Sequence, residues 1–103
     1  FEGLVASRGD KLVGLVHFRA MPSPLRATDA GFIDDLFVDP EDRGGGAAEA
    51  LMRAVYAIAE ERGWPIIRWI TQDNNYRARG LYDRIAVKAT WNMYEKKFNP
   101  TGY

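Results

Sequence analysis

The sequence predicts an α+β fold of the α/β layered type: a mixed, mostly antiparallel sheet with helices on its faces. The first 40 residues alternate β-rich segments with turn residues, which is typical of antiparallel strands joined by hairpins. A strongly amphipathic helical segment follows, and a short, nearly continuous apolar segment comes after it. A strand, a helix and a second strand in this order form a crossover between parallel strands, so the sheet is mixed.

The first elements are predicted to be a β-hairpin and a third strand. Residues 3–7 and 11–19 are rich in β-forming residues, and the turn-forming residues 8–10 separate them. Pro22-Ser23-Pro24 predicts a loop. The segment GFIDDLFVDP, residues 31–40, is predicted to be a strand that ends at its proline.

Residues 46–62 predict the clearest helix of the chain. Glu49 and Arg53 form an i,i+4 pair on its outer face, and Gly63 followed by Pro65 is a stop signal. Its apolar residues recur at helical spacing on one face: Ala48, Leu51, Met52, Val55, Ile58 and Ala59.

Three further elements are predicted after this helix. PIIRWIT, residues 65–71, has the apolar character of a strand buried on both faces. A second helix begins at about Asn74, with Asp73 or Asn74 as its cap, and residues 89–98 are predicted to be a β segment. The expected order is therefore β-β-β-α-β-α-β, in a single domain over residues 1–103.

Composition excludes several kinds of function. The chain has 103 residues, no cysteine, one histidine and a formal net charge of zero. Without cysteine there is no disulfide, thiolate metal site or cysteine nucleophile, and a balanced charge argues against a nucleic-acid partner. His17, in a predicted strand, is interpreted as an ordinary strand residue. The sequence contains neither an apolar run long enough to span a membrane nor a signal-peptide pattern, so we expect a cytoplasmic protein. Because it has no cysteine and one histidine, we expect no bound metal.

Gly44, Gly45 and Gly46 stand directly before the predicted helix, where Ser, Thr or Asp would cap it better. A helix N-terminus offers unsatisfied N–H groups and a partial positive charge, and it therefore binds phosphate groups. Glycines without side chains would let such an anion reach the amides. The alternative is a flexible strand-to-helix loop with Asp42 as the cap, and glycine content alone leaves both interpretations open.

The residues around the glycines resemble a known family. The run Arg43-Gly44-Gly45-Gly46-Ala47-Ala48 fits the pattern Arg/Gln-x-x-Gly-x-Gly/Ala of the GCN5-related N-acetyltransferases, the GNAT family. Downstream, NYRARGLY resembles the family's Asn-x-x-Ala-x-x-Leu-Tyr motif. The resemblance runs from about Gly3 to Phe98 and implies a GNAT-like acyl-CoA N-acyltransferase fold. The family's opening strand and two helices have no counterpart in this sequence, so we expect a partial chain.

The resemblance implies acetyl-coenzyme A as the acetyl donor and suggests which residues bind it. Amides from Arg43 to Ala48 would hold the pyrophosphate at the helix start. The strand segment Leu36, Phe37 and Val38 would bind the pantetheine arm, and one of its N–H groups would polarise the thioester carbonyl. Asn75 would bond the pantetheine or nearby backbone. Arg79, together with Arg77, would meet the nucleotide phosphates, unless these arginines only form a solvated helix face.

Two residues are predicted to move protons. The resemblance implies that Tyr82 protonates or hydrogen-bonds the departing thiolate. A carboxylate must take the proton of the amine, and Asp34 and Asp35 alternate along the strand, so only one is expected to face the site. Asp35 is preferred as base or amine binder, with a solvated carboxylate as the alternative for each. The acidic strip from Asp29 to Asp42 suits a cationic acceptor or serves surface solubility.

The sequence thus predicts an N-acetyltransferase that moves an acetyl group from acetyl-CoA to a primary amine of a small molecule or protein by direct aminolysis. A non-catalytic CoA-binding or sensing module of the same fold is the alternative, and a structural α+β domain with an accidental glycine loop is a third hypothesis. A homodimer is also expected, formed through the terminal segment that contains Trp91, Met93, Tyr94 and Phe98.

Overall fold

A computed structural model describes residues 1–23, 27–42 and 44–98. Its contacts divide the chain into two compact units, residues 1–70 and 71–103. The first unit holds a sheet and the long helix, and the second holds the shorter helix and the terminal segment. A single domain over the whole chain stays a prediction.

The sheet of the first unit has four strands: β1 (Glu2–Arg8), β2 (Lys11–Ser23), β3 (Thr28–Val38) and β4 (Ile67–Arg68). They lie in the order β1-β2-β3-β4. The first two pairings are antiparallel and the pairing of β3 with β4 is parallel. The predicted mixed, mostly antiparallel sheet is therefore confirmed.

The first hairpin turns at Gly9, which has φ +62, as its turn residues predict. The second strand is longer than predicted, because Pro22 pairs with Asp29 and Ser23 pairs with Thr28. The loop predicted at these two residues is wrong, and Pro24 lies outside the described residues. Proline is tolerated here because β1 pairs with β2 only as far as Phe18, so β2 has β3 as its sheet neighbour at this end.

Helix α1 (Ala47–Arg62) packs on one face of the sheet. It ends at Gly63, whose φ is +74 and whose N–H bonds the carbonyls of Ala59 and Glu60. The predicted pair is present on its outer face, where Arg53 Nε lies 3.1 Å from Glu49 Oε2. The buried core consists of Val13, Val16, Phe18, Ala30 and Ile33 from the sheet and Ala47, Leu51, Met52, Val55 and Ala59 from the helix.

The predicted strand at residues 65–71 is much shorter in the structure. Only Ile67–Arg68 forms a strand, it is half-buried rather than buried on both faces, and Ile70 is exposed. The reason is position: β4 lies at the edge of the described sheet, where a strand has a sheet neighbour on one side only. An apolar run indicates a strand but does not fix how many neighbours it has.

The second unit contains α2 (Tyr76–Ile85), which confirms the second predicted helix. Its cap is Asn75, so the prediction of Asp73 or Asn74 as the cap is wrong by one or two residues. The predicted β segment at residues 89–98 is wrong: these residues form no strand, and every residue from 87 to 98 is exposed. A β-rich sequence becomes a strand only when a neighbour pairs with its backbone and its apolar side is covered. No helix among the described residues is long and apolar enough to cross a membrane.

Candidate active site

The loop before α1 restrains its three glycines in two different ways. Gly44 and Gly46 have φ values of +87 and +85, in the left-handed region that favours glycine. A Cβ at either position would have no described atom within 4 Å. A Cβ at Gly45, by contrast, would lie 2.7 Å from Arg8 Nη2 and 2.9 Å from Asp42 Oδ2, so a side chain there would collide with this ion pair.

The start of α1 presents backbone N–H groups in place of a side-chain cap. Gly46 is the N-cap, and within the described residues no side chain caps it; the predicted cap, Asp42, bonds Arg8 instead. The N–H groups of Ala47 and Ala48 belong to the first turn, which has no acceptors within its own helix. The N–H of Gly45 donates to the carbonyl of Asp42 at 3.0 Å, so this amide of the predicted phosphate-binding run is already used. Arg43 lies outside the described residues.

The predicted pantetheine-binding segment lies where β3 extends beyond β4. In the described chain, β4 pairs with β3 only at Gly31 and Phe32, so Leu36, Phe37 and Val38 lie past that pairing. The N–H of Asp39 donates to the Val13 carbonyl of β2 at 2.8 Å. Because N–H directions alternate along a strand, the N–H groups of Val38 and Leu36 point away from β2, and that of Phe37 points towards it.

A β-bulge places both candidate aspartates on the same face of the sheet. His17 pairs with Asp35 and the next residue of β2, Phe18, pairs with Ile33, so Asp34 has no partner in this ladder. His17 and Arg19, two residues apart on β2, point to one face. Asp35 contacts the first of them and Asp34 contacts the second. The predicted alternation of Asp34 and Asp35 is therefore wrong, because a bulge interrupts the alternation of side chains. Which of the two faces the site stays a prediction.

The two aspartates differ in what holds them. Arg19 Nε donates to both carboxylate oxygens of Asp34, each at 3.1 Å. Asp35 has one oxygen 3.2 Å from Nδ1 of His17, and its side chain is 62% exposed against 24% for Asp34. Asp35 is thus the more accessible carboxylate. His17 is a residue of this cluster that sequence analysis missed, because its partner is known only once the register of β2 and β3 is known.

Most of the acidic strip is paired with basic side chains from the first hairpin. Ion pairs join the hairpin to the strip: Arg8 with Asp42, Lys11 with Asp39, Lys11 with Glu41, and Arg19 with Asp34. The strip is therefore largely neutralised, which weakens it as a general attractor of cations. Of the two candidate bases, Asp35, beside His17, is the more accessible acid. No three His, Asp or Glu side chains in the described ranges cluster as a metal site would require.

In the second unit, Asn75 and Arg79 both serve the start of α2. The Asn75 side chain accepts a hydrogen bond from the N–H of Ala78 at 3.3 Å, as a helix cap does. Arg79 Nη1 donates to the carbonyl of Asp73 at 2.7 Å, and its guanidinium lies 5.9 Å from the centre of the Tyr76 ring. These contacts give each residue a structural role in the first turn of its helix.

Tyr82 lies on the half-buried face of α2 that also carries Ala78, Leu81 and Ile85. Burial raises the pKa of the Tyr82 phenol above its ordinary value of 10.0. The phenol is therefore protonated throughout the neutral range and has a proton to donate.

Several known proteins are similar to this chain in sequence or in fold. The profile of the acetyltransferase (GNAT) family matches residues 2–86. The chain is 29% identical over 84 residues to the D-amino-acid N-acetyltransferase HPA3 of Saccharomyces cerevisiae, covering 82% of this chain and 52% of that protein. It is 33% identical over 90 residues to N-acetyltransferase 8B of Homo sapiens, covering 87% of this chain and 40% of that protein. The chain thus spans about half or less of these relatives.

A solved structure resembles the fold over most of the chain. It is a ribosomal-protein-alanine N-acetyltransferase from Brucella melitensis biovar Abortus 2308, with a TM-score of 0.84 and 34% sequence identity. The similarity covers 93% of this chain and 70% of that one.

Proposed function

Since this chain belongs to the acetyltransferase (GNAT) family, we propose that it transfers an acetyl group from acetyl-CoA to a primary amine by direct aminolysis. The observation that carries the proposal is the glycine loop at the start of α1. Its first-turn amides have no side-chain cap among the described residues, and Gly44 and Gly46 leave open space where side chains would otherwise project. Such a bare helix start fits a pyrophosphate group.

The proposed donor-binding residues come from the loop and from β3. The N–H groups of Ala47 and Ala48, with those of the run from Arg43 to Gly46 other than the Gly45 N–H, would hold the pyrophosphate. The N–H groups of Leu36 and Val38 point away from β2 at the end of β3 that β4 does not pair with, so they are suited to bond a pantetheine arm and a carbonyl oxygen. When bound, acetyl-CoA supplies an activated acetyl group as a thioester.

Asp35 is proposed to accept the proton of the amine. An alkylammonium group has a pKa near about 10.4, so a base must remove a proton before the nitrogen can attack. His17 Nδ1 lies 3.2 Å from one oxygen of Asp35, Oδ2, whereas both oxygens of Asp34 accept bonds from Arg19. Asp35 therefore has the greater freedom to bind an amine.

Tyr82 is proposed to donate a proton to the leaving sulfur. The amine nitrogen forms a bond to the acetyl carbon while the carbon–sulfur bond breaks, and the electron pair of that bond goes to sulfur. Before attack, the ammonium group would lose one proton through Asp35 to solvent, and after attack the nitrogen would lose a second proton to Asp35. The phenolic proton of Tyr82 would pass to the sulfur, and solvent would restore both residues. The Tyr82 phenol is already protonated at neutral pH at its ordinary pKa of 10.0, and burial raises this pKa further.

The acceptor is proposed to be a cationic primary amine, because the accessible acid Asp35 would attract its ammonium form. The name of one relative specifies D-amino acids and that of another a ribosomal-protein alanine, so both small molecules and proteins are included. We also propose a cytoplasmic homodimer. Its contact would be the exposed terminal segment, where Trp91, Met93, Tyr94 and Phe98 are 76%, 65%, 89% and 91% exposed.

The decisive experiment measures binding and turnover separately. Calorimetry with acetyl-CoA tests the donor site, and release of free thiol with a panel of D- and L-amino acids, diamines and peptides with N-terminal alanine tests transfer. We expect donor binding together with thiol release that depends on the amine. Binding without release for any amine would indicate a CoA-binding module, and the absence of binding would refute the proposed function.

A further inference from the structure

We infer that Arg8, at the tip of the first hairpin, is a positioning residue that fixes the glycine loop in the geometry that binds the acetyl donor. The identity of the ligand rests on the proposed function, but the contacts of Arg8 with the loop do not. Arg8 is far from the loop in sequence, 34 residues from Asp42 and 37 from Gly45.

Arg8 makes three hydrogen bonds to the segment that enters α1. Its Nε donates to Asp42 Oδ1 at 2.7 Å, and its Nη2 donates to Asp42 Oδ2 at 3.1 Å and to the Gly45 carbonyl at 3.1 Å. The pairing with the carboxylate is bidentate, which is the geometry in which arginine specifies orientation most strongly. The Gly45 N–H in turn donates to the Asp42 carbonyl at 3.0 Å, so Arg8, Asp42 and Gly45 form one closed set of contacts, the loop clamp.

The loop clamp leaves little room for a side chain at Gly45. Its backbone φ is not in the left-handed region, unlike those of Gly44 and Gly46. A Cβ at Gly45 would instead lie 2.7 Å from Arg8 Nη2 and 3.0 Å from the Asp42 carbonyl oxygen, closer than such contacts normally allow. The middle glycine therefore accommodates the guanidinium of Arg8.

The hairpin tip also holds the turn before the loop. Lys11 Nζ lies 3.4 Å from Asp39 and 3.3 Å from Glu41, in the acidic turn that precedes the glycines. The Arg8 guanidinium lowers the pKa of the Asp42 carboxyl below its ordinary value, so this carboxylate is ionised throughout the neutral range. Two hairpin cations thus hold the three acids that lead into the loop.

Three consecutive glycines have many alternative conformations, and each residue that a ligand must order weakens its binding. Contacts that order the loop before binding remove part of this cost, which is how preorganisation raises affinity. Arg8 would therefore affect donor binding more than the chemical step. Its removal should raise the KM for acetyl-CoA and leave kcat largely unchanged.

The test compares Arg8→Ala with Arg53→Ala as a matched control. The two arginine side chains are equally exposed, Arg53 at 58% and Arg8 at 59%, and each substitution removes an ion pair with a carboxylate. Arg53 pairs with Glu49 on the outer face of α1, away from the glycine loop. Affinity for acetyl-CoA is measured by calorimetry, and the mobility of the loop by amide hydrogen exchange at Gly45 and Gly46. Asp42→Asn, which keeps the size of the side chain, is the second variant if Arg8→Ala does not fold.

We expect Arg8→Ala to weaken acetyl-CoA binding about fivefold or more and to speed exchange at Gly45, with Arg53→Ala within about twofold of the wild type. Arg8→Lys, which keeps the charge without the planar fork, should lie between them. Wild-type affinity and exchange in Arg8→Ala would overturn the inference and leave the proposed function intact. If the wild type itself fails to bind acetyl-CoA, the proposed function fails, and the exchange data alone support or overturn the role of Arg8 in ordering the loop.

Discussion

Substitution of Gly46 by alanine tests the donor site most directly. Gly46 is the N-cap of α1, and a Cβ there would have no described atom within 4 Å, so alanine introduces no clash with the protein. The added methyl group instead projects into the open space at the helix start. If a pyrophosphate occupies that space, the methyl group competes with it for access to the amides of Ala47 and Ala48.

Backbone strain must be separated from this effect. Gly46 has φ +85, and an L-residue in the left-handed region costs roughly 1–2 kcal/mol. Gly63, at the other end of the same helix, provides the matched control: its φ is +74, and a Cβ there also has no described atom within 4 Å. Gly46→Ala and Gly63→Ala should therefore lower the free energy of unfolding by similar amounts.

The two variants should differ in acetyl-CoA affinity, because only the start of the helix is proposed to bind a phosphate. We expect calorimetry to give about a tenfold weaker Kd for Gly46→Ala, equivalent to about 1.4 kcal/mol, and no change for Gly63→Ala. Thermal unfolding without ligand confirms that both variants are folded and similarly destabilised. Equal affinities in the two folded variants would refute the pyrophosphate site at the start of α1.

Three further outcomes are expected. Tyr82→Phe should lower kcat by about a hundredfold or more without changing acetyl-CoA affinity, since it removes the proton donor and keeps the ring; an unchanged kcat would mean that water protonates the sulfur. Asp35→Asn should lower kcat/KM for the amine at least about tenfold, and Asp34→Asn, which loosens only the contact with Arg19, should lower it less; the reverse order would transfer the role to Asp34. Light scattering should give the mass of a dimer, which Trp91→Asp converts to a monomer; a monomeric wild type at high concentration would contradict the proposed interface.

Elements with a strong internal period could be predicted from the sequence. The apolar stripe of α1 and its stop signal at Gly63 are local properties, and both are present in the structure. Elements that depend on a neighbour were predicted poorly. Residues 65–71 and 89–98 have the composition of strands, but the first forms only the short β4 and the second forms no strand. Strand propensity shows that a residue suits a sheet, but a strand forms only where a neighbouring strand pairs with its backbone.

The candidate site shows the same division between local and long-range information. The sequence identified the glycine loop and Tyr82 through local motifs. It could not identify Arg8 or His17, because their partners lie 34 and 18 residues away and depend on the register of the strands. The bulge at Asp34 belongs to the same class, since a register shift is a property of two strands and not of either sequence alone.

The glycine loop has an inner and an outer side. A side chain at Gly45 would meet Arg8 and Asp42, so this glycine faces the protein, whereas side chains at Gly44 and Gly46 would meet no described atom. The left-handed backbone at those two outer positions already disfavours side chains, and it leaves the helix start bare towards the open space. A loop built only for flexibility would not need its middle glycine to fit a bidentate ion pair. This loop is therefore anchored at its centre and open at both flanking positions, as a preorganised anion-binding site requires.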